Sequence, residues 1–251
     1  MNEFKLLDGE RLDFVNEGLS LIQKKDGLTF GTDAFLLASF IKSTSKKVGA
    51  ELGSGTGIIS LLLAQRNKLE KIYAIEIQKD FATLTQRNVS FNGLDEKISV
   101  INADVRNVSS SDLGGELDVV FTNPPYMKTT SGKRNENDYK YIARHEECGD
   151  INDFCKTAFK LLKHGGKFYV VWRPDRICDL FFALRQNRLE PKIITFVQAD
   201  AQSEPSMVLI SATKGGASGA TLTAPLILHD GADHKKMSER AQKIYDTLSF
   251  E

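Results

Sequence analysis

The segment Asn123-Pro124-Pro125-Tyr126 contains the residue types needed to hold an amino nitrogen as a nucleophile. The amine of a nucleobase attacks poorly because its lone pair is delocalised into the ring. The side-chain oxygen of Asn123 and the carbonyl of Pro124 can accept its two N–H bonds and so direct the lone pair outward. Proline stiffens the backbone at this carbonyl, and Tyr126 offers a flat face for a stacked base. Asn123, Pro124 and Tyr126 are therefore candidate catalytic residues; the alternative is a strand-ending turn that happens to contain two prolines.

A glycine-rich segment, Glu51 to Gly57, precedes this motif in the chain. Glycines at 53, 55 and 57 allow a sharp turn and let the backbone approach a ligand closely. The G-x-G-x-G spacing differs from the G-x-G-x-x-G of dinucleotide-binding enzymes, and no lysine follows as in a phosphate-binding P-loop. Taken alone, the segment could also be a plain turn between a strand and a helix.

Two carboxylates follow the next two predicted strands, and both suit a nucleoside. Glu76 ends the second strand and can accept both hydroxyls of a ribose. Asp104 follows the third strand and can accept from the amine of an adenine. A solvated strand end for Glu76 and a helix N-cap for Asp104 are the alternatives. Together with the glycines, the two carboxylates predict a nucleoside-binding edge of a sheet.

Strands alternate with helices from residue 47 onward, which predicts a doubly wound, mostly parallel α/β sheet. The predicted strands are at 48–52, 72–76, 98–101, 117–122, 168–172, 193–197 and 207–210. Gly165-Gly166 is expected to stop a helix over 151–162. Residues 1–46 are expected to form an extension of short strands and one helix, N-capped by Thr32 or Asp33, that packs on a core domain at 47–251.

The chain resembles class I methyltransferases, and in particular the branch that methylates amino groups with Asn-Pro-Pro-Tyr. More narrowly, it is similar to the bacterial tRNA-Val adenine-N6 methyltransferases, which modify the adenine 3′ of the anticodon. The stretches that carry the resemblance extend over residues 22–38, Glu51–Gly57, Asn123–Tyr126, Ile142–Glu146 and Leu161–Phe168.

The resemblance implies a Rossmann-like sheet of seven strands, S-adenosylmethionine as the cofactor, and Phe30 and Thr32 over the bound cofactor. Such families usually have Asp at the position of Glu51; glutamate keeps the charge but is longer, which alters the expected contact with the methionine end of the cofactor. The residues predicted to bind the cofactor are Phe30, Thr32, Glu51, Gly53, Gly55, Gly57, Glu76, Ile77, Asp104, Val105 and Asn123.

The predicted substrate is an adenine of tRNA, and basic segments are candidates for binding it. Residues 127–146 contain five basic and three acidic residues, a net +2, interleaved with tyrosines, which suits looped RNA. Residues 156–192 contain nine basic and three acidic residues, a net +6. The alternatives are a solvated loop over 127–146 and solvated helix faces over 156–192. The residues predicted to bind the substrate are Tyr126, Lys133, Arg134, Arg144 and Arg173, with Arg176, Arg185 and Arg188 as further phosphate contacts.

The amino-acid composition and the net charge exclude few classes of protein. Lys plus Arg and Asp plus Glu are both 33, so net charge gives no nucleic-acid signal. Cys148, Cys155 and Cys178 lack metal-site spacing and predict reduced thiols in a cytoplasmic protein without a metal. Neither a signal peptide nor a membrane span is expected, and nothing predicts an obligatory protein partner.

Three other functions remain open on the residues alone. A protein glutamine methyltransferase uses the same Asn-Pro-Pro-Tyr motif but carries a helical N-terminal domain. An rRNA guanine-N2 methyltransferase more often has Phe at the position of Tyr126. An RNA-binding protein with a vestigial fold is the non-enzyme alternative, against which the intact Asn123, Glu76 and Asp104 argue.

Overall fold

The computed structural model describes residues 5–25, 30–42, 45–124 and 149–250. The chain begins with a hairpin and continues into alternating strands and helices. The strands are β1 (Glu10–Asn16), β2 (Leu19–Lys24), β3 (Val48–Leu52), β4 (Lys71–Glu76), β5 (Ile98–Asn102), β6 (Leu117–Thr122), β7 (Leu162–Trp172), β8 (Leu189–Gln198), β9 (Pro205–Lys214), β10 (Thr221–Leu222) and β11 (Leu226–Ile227). The helices are α1 (Thr32–Phe40), α2 (Ile58–Gln65), α3 (Lys79–Phe91), α4 (Ile151–Leu161), α5 (Ile177–Gln186) and α6 (Glu239–Thr247).

The main sheet has the long-strand order β5-β4-β3-β6-β7-β9-β8. Strands β3 to β7 pair in parallel, whereas β9 runs antiparallel to both β7 and β8. The predicted doubly wound, mostly parallel sheet is therefore confirmed for its seven long strands. The two-residue strands β10 and β11 extend the sheet along β8.

Apolar helices cover both faces of the sheet, which explains why its strands are apolar on both faces. One core cluster lies under α1 and α2 and includes Phe121, and the other lies under α4 and α5 and includes Phe168. In α2 every residue from Ile58 to Ala64 is buried, so this helix is a core element rather than an amphipathic surface helix.

The N-terminal hairpin is joined to the core by polar side chains of α3. Asn88 accepts from the backbone nitrogen of Ile22 (2.7 Å) and donates to the Ile22 carbonyl (3.1 Å). Asn92 makes the same pair of bonds with Ser20 at 3.0 and 2.8 Å. These two asparagines, four residues apart on one helix face, continue the hydrogen bonding of β2 onto the core.

A buried lysine connects the ends of two helices. Lys68 is 5% exposed, and its ammonium donates to the carbonyls of Ala38 (2.9 Å), Ser39 (3.2 Å) and Leu248 (3.0 Å). The first two carbonyls belong to the last turn of α1, and the third follows α6. The ammonium therefore satisfies carbonyls that a helix leaves without a partner at its C-terminus.

Two local predictions were wrong. Gly165-Gly166 do not stop the preceding helix, because the helix over 151–161 ends before them and they lie inside β7. Gly165 has a φ of 76° there, and the pairing of β7 with β6 shifts register. The N-cap of α1 is Gly31, not Thr32 or Asp33. Asp33 lies in the first turn instead, because its carboxylate has other partners that are described below.

Candidate active site

The glycine segment forms a tight turn after β3. Gly53, Gly55 and Gly57 have φ values of 73°, 56° and 81°, a region that favours glycine. The backbone nitrogens of Gly53 and Ser54 both donate to the carbonyl of Ile75 at 2.9 and 3.0 Å. The turn is therefore fixed against the end of β4.

Helix α3 closes the other side of this turn. A Cβ atom on Gly57 would come within 2.6 Å of Thr85 Cγ2, so the approach of α3 requires glycine at this position. The hydroxyl of Thr85 donates to the Gly55 carbonyl (2.7 Å), and Asn88 Nδ2 donates to the Thr56 carbonyl (3.0 Å). These bonds hold the carbonyls of the turn toward α3.

Glu76, the predicted ribose ligand, is buried where β4 ends. One carboxylate oxygen accepts from the backbone nitrogen of Gly55 (2.8 Å) and the other from that of Gln78 (2.9 Å). Burial raises the pKa of this carboxyl, although the backbone donors act in the opposite direction. Each carboxylate oxygen can accept a further bond, so Glu76 can hold the glycine turn and still receive ribose hydroxyls.

Glu51 is buried at the end of β3 and directed at the start of α2. Its carboxylate accepts from both the backbone nitrogen (3.1 Å) and the hydroxyl of Ser60. Burial raises the pKa of this carboxyl to about 8. The carboxyl therefore caps the first turn of a helix from within the core, a contact that the sequence did not predict.

Asp104, the predicted adenine ligand, follows β5 and caps a short 3-10 helix over Val105–Asn107. Its carboxylate accepts from the backbone nitrogen of Arg106 (2.9 Å) and pairs with the Arg106 guanidinium (2.6 Å). This pairing, through side-chain hydrogen bonds above all, lowers the pKa of Asp104. Val105 is buried beside it, and Ile77 accepts from Asn102 Nδ2 (3.0 Å) at the neighbouring strand end.

The strand register brings these residues to one edge of the sheet. Glu51 pairs with Phe121 across β3 and β6, so Gly53 and Asn123 follow side by side. Glu76 pairs with Asn102 across β4 and β5, which places Asp104 two residues beyond the same edge. The candidate nucleophile-holding residue and the glycine turn are thus adjacent in space although 70 residues separate them.

Asn123 has a fixed partner from the N-terminal part of the chain. Its Nδ2 donates to Asp33 Oδ2 at 2.9 Å, and Asp33 Oδ1 accepts from the backbone nitrogen of Ala34 at 2.8 Å. Thr32 is exposed next to Asp33, while Phe30 packs against the core and donates its backbone nitrogen to Gln23 Oε1 (3.0 Å). The first turn of α1 therefore reaches the end of β6.

A cavity of about 880 Å³ opens beside Asp33. It extends along the ends of β7 and β9 and is lined by Thr32, Asp33, Trp172, Arg173, Pro174, Asp175, Glu204, Pro205, Ser206 and Met207. Trp172 is nearly buried and donates its ring nitrogen to the Arg176 carbonyl (2.9 Å). The cavity is large enough for a planar aromatic group beside Asp33, the hydrogen-bond partner of Asn123.

A family model describes most of the chain. The model of the methyltransferase small domain matches residues 24–183, which contain the glycine turn, Glu76, Asp104 and Asn123. The chain belongs to the methyltransferase small domain family. This membership confirms the predicted class of enzyme, an S-adenosylmethionine-dependent methyltransferase.

Curated relatives of this methyltransferase match most of its length. A tRNA1(Val) (adenine(37)-N6)-methyltransferase of Phocaeicola vulgatus is 30% identical over 181 residues, which are 72% of this chain and 75% of the relative. The protein of the same description from Aeromonas hydrophila is 26% identical over 209 residues, 82% and 86% of the two chains.

Solved structures share the fold of the methyltransferase. A predicted O-methyltransferase from Agrobacterium tumefaciens superposes with a TM-score of 0.68 at 22% identity, over 87% of this chain and 97% of the other. TYW2 of M. jannaschii, solved in complex with AdoMet, superposes with a TM-score of 0.55 at 16% identity, over 84% and 87% of the two chains.

Three of the four arginines predicted to contact phosphate have acidic partners in the methyltransferase. Arg173 pairs with Asp175 (2.7 Å) and Arg176 with Asp179 (2.7 Å). Arg185 lies 3.7 Å from Glu190. The net +6 of residues 156–192 already counts these three acidic residues, so the excess positive charge belongs to Arg188 and five lysines rather than to the three paired arginines. Tyr126, Lys133, Arg134 and Arg144 lie outside the described residues.

Sequence reasoning missed several residues that shape the site. Thr85 and Asn88 both contact the glycine turn, and a polar pair three residues apart on a helix next to the loop was a usable signal. Ser54 is 5% exposed, and its hydroxyl has no hydrogen-bond partner among the described residues.

Two further properties concern the described residues only. Within them, no helix is long and apolar enough to cross a membrane. In the same residues, no group of three His, Cys, Asp or Glu side chains is placed to hold a metal ion.

Proposed function

We propose that this methyltransferase transfers a methyl group from S-adenosylmethionine to the N6 amine of an adenine in tRNA. The proposed target is the adenine beside the anticodon of a valine tRNA, the substrate in the names of the Phocaeicola vulgatus and Aeromonas hydrophila relatives. The observation that supports the proposal is the register of β3 and β6, in which Glu51 pairs with Phe121 two residues before Gly53 and Asn123 respectively. We expect this reaction in the cytoplasm and without an obligatory protein partner.

The residues at this edge fit the cofactor. Ser54 contributes a buried hydroxyl that lacks a partner among the described residues, as expected for a group that bonds to a ligand. Glu76 would hold the ribose, and Asp104 and Val105 the adenine. Glu51 and the glycines would lie at the methionine end, and Phe30 and Thr32 would cover it. When bound, S-adenosylmethionine supplies an electrophilic methyl group on a cationic sulfur.

The protein contributes mainly orientation to this reaction. The Asn123 side-chain oxygen and the Pro124 carbonyl accept the two N–H bonds of the target amine and direct its lone pair at the methyl group. Asn123 and Pro124 would thereby hold a nitrogen that gains positive charge as it takes the methyl group and the bonding pair of the S–C bond stays on sulfur. The nitrogen then loses a proton to water, and no general base is required before attack.

The printed names of the relatives favour an RNA substrate over a protein substrate. Both the Phocaeicola vulgatus and the Aeromonas hydrophila proteins are named for an adenine of tRNA. Tyr126 and the basic segment 127–146 remain the proposed contacts for the base and its flanking phosphates, together with Arg173.

The experiment is methyl transfer by the purified protein to tRNA-Val transcripts. Nucleoside mass spectrometry should find N6-methyladenine in the transcript with adenine 3′ of the anticodon, and none when guanine replaces that adenine. Asn123→Ala should abolish transfer while S-adenosylmethionine affinity stays within a few-fold, because Asn123 serves the nucleophile. Transfer to a release-factor glutamine or to rRNA, with unmodified tRNA, would refute the proposed substrate; cofactor binding with no transfer to any of them would indicate a binding protein.

A further inference from the structure

Asp33 is held rigidly at the N-terminus of α1. Its two carboxylate oxygens bond to different partners, Oδ1 to the backbone nitrogen of Ala34 and Oδ2 to Nδ2 of Asn123. Helix α1 is itself fixed, because the ring of Phe35 stacks on that of Tyr245 at 4.4 Å and 8° between ring planes. The carboxylate is therefore a preorganised acceptor for Asn123.

The bond from Asn123 to Asp33 selects one of two amide orientations. Rotation of an asparagine amide by 180° exchanges its oxygen and nitrogen. With Nδ2 toward Asp33, a donor meets a carboxylate; with Oδ1 toward Asp33, two acceptors would face each other. Asp33 thus keeps Oδ1 on the opposite side of the amide, where it can accept from a target amine.

The negative charge of Asp33 also makes the Asn123 side-chain oxygen a stronger hydrogen-bond acceptor. A carboxylate that accepts from one end of an amide increases the electron density on the amide oxygen, since linked hydrogen bonds polarise each other. The target nitrogen becomes positive as the methyl group is transferred. The hydrogen bond from this nitrogen to Oδ1 of Asn123 therefore strengthens in the transition state, which is the condition for acceleration.

We propose that Asp33 is a positioning residue of the methyl transfer, which acts through Asn123. Asp33 orients the Asn123 amide and strengthens its oxygen as an acceptor for the target amine. The inference rests on the proposed function, because it assigns Asn123 to the nucleophile. It adds a second residue, 90 positions away in the chain, to the group that prepares the amine.

A double-mutant cycle in single-turnover reactions tests this proposal. Asp33→Ala should lower the single-turnover rate by about 10- to 100-fold, with S-adenosylmethionine affinity within a few-fold. Asp33→Asn should recover part of the rate, because a neutral side-chain oxygen can still accept from Nδ2. In an Asn123→Ser background, which keeps an oxygen acceptor but no amide to orient, Asp33→Ala should change the rate by less than about 2-fold.

The outcomes separate this inference from the proposed function. If Asn123→Ser retains the normal rate, the assignment of Asn123 fails. If that variant is slow but Asp33→Ala reacts normally, or if the two effects multiply, only the role of Asp33 is overturned. Asp153→Asn serves as the control, because Asp153 also lies in the first turn of a helix, α4, and it should leave the rate unchanged.

Discussion

Replacing Glu51 with glutamine tests whether the buried carboxyl before the glycine turn is protonated at neutral pH. Burial raises the pKa of Glu51 from 4.5 to about 8 in the folded protein. In the unfolded chain a glutamate ionises at about pH 4.3. Between these values the folded protein binds one proton more than the unfolded chain. The contribution of Glu51 to the free energy of unfolding is therefore complete at low pH and is lost as the pH rises to about 8.

The magnitude follows from the width of this interval. From 4.5 to about 8 is roughly 3.5 pH units, and each unit corresponds to about 1.36 kcal/mol, which gives ~5 kcal/mol as an upper bound. Glutamine does not titrate and can still accept from Ser60. Urea unfolding at a series of pH values between 5 and 9 measures the free energy of unfolding. Relative to wild type, Glu51→Gln should become more stable by several kcal/mol as the pH rises, with no further increase in this difference above pH 8.5.

The control is Glu96→Gln, because Glu96 is exposed in the loop before β5. Its stability should follow the wild-type protein across the same range. If the curves of wild type and Glu51→Gln are parallel from pH 5 to 9, the carboxyl is ionised in the fold and the reasoning is wrong.

Proton release from the Glu51 carboxyl can report its predicted contact with the cofactor. An ammonium group next to Glu51 would lower its pKa, so binding of S-adenosylmethionine at pH 7 should release a proton. Calorimetry in buffers of different ionisation enthalpy measures that proton. An unchanged binding enthalpy across buffers, in both wild type and Glu51→Gln, would argue that Glu51 serves only to cap α2.

Two further predictions concern the elements that support the site. Lys68→Met should lower stability by about 2–4 kcal/mol, because three buried carbonyls lose a charged donor; thermal unfolding measures this loss, and Lys156→Met on the exposed face of α4 is the control. Gly57→Ala should weaken cofactor binding in calorimetry and destabilise the protein more than Gly93→Ala. Gly93 also has a positive φ, of 65°, but nothing lies within 4 Å of its added Cβ. Adding Thr85→Ser should relieve part of the Gly57→Ala defect, and no relief would contradict the contact with Thr85 Cγ2.

The sheet could be predicted because its signals are local. Apolar strands alternate with helices, and the carboxylates and Asn123 follow strand ends, so parallel pairing alone brings them to one edge. The partner of Asn123 could not be predicted in this way, since Asp33 precedes it by 90 residues and looks like a helix cap in the sequence. Gly165-Gly166 resembled a helix stop because glycine favours both helix ends and bulged strands, and only the pairing with β6 distinguishes them.

The Lys68 ammonium ion balances the partial negative charges at the C-terminal ends of two helices. The C-terminus of an α-helix carries about half a negative charge, and two such ends, of α1 and α6, meet at one ammonium ion. Together they amount to about one negative charge, which the single positive charge of Lys68 balances inside the protein. Without α6, the Lys68 ammonium would lose the Leu248 carbonyl and the negative end of that helix. The last helix therefore neutralises the interior below α1, the helix that presents Asp33 to Asn123.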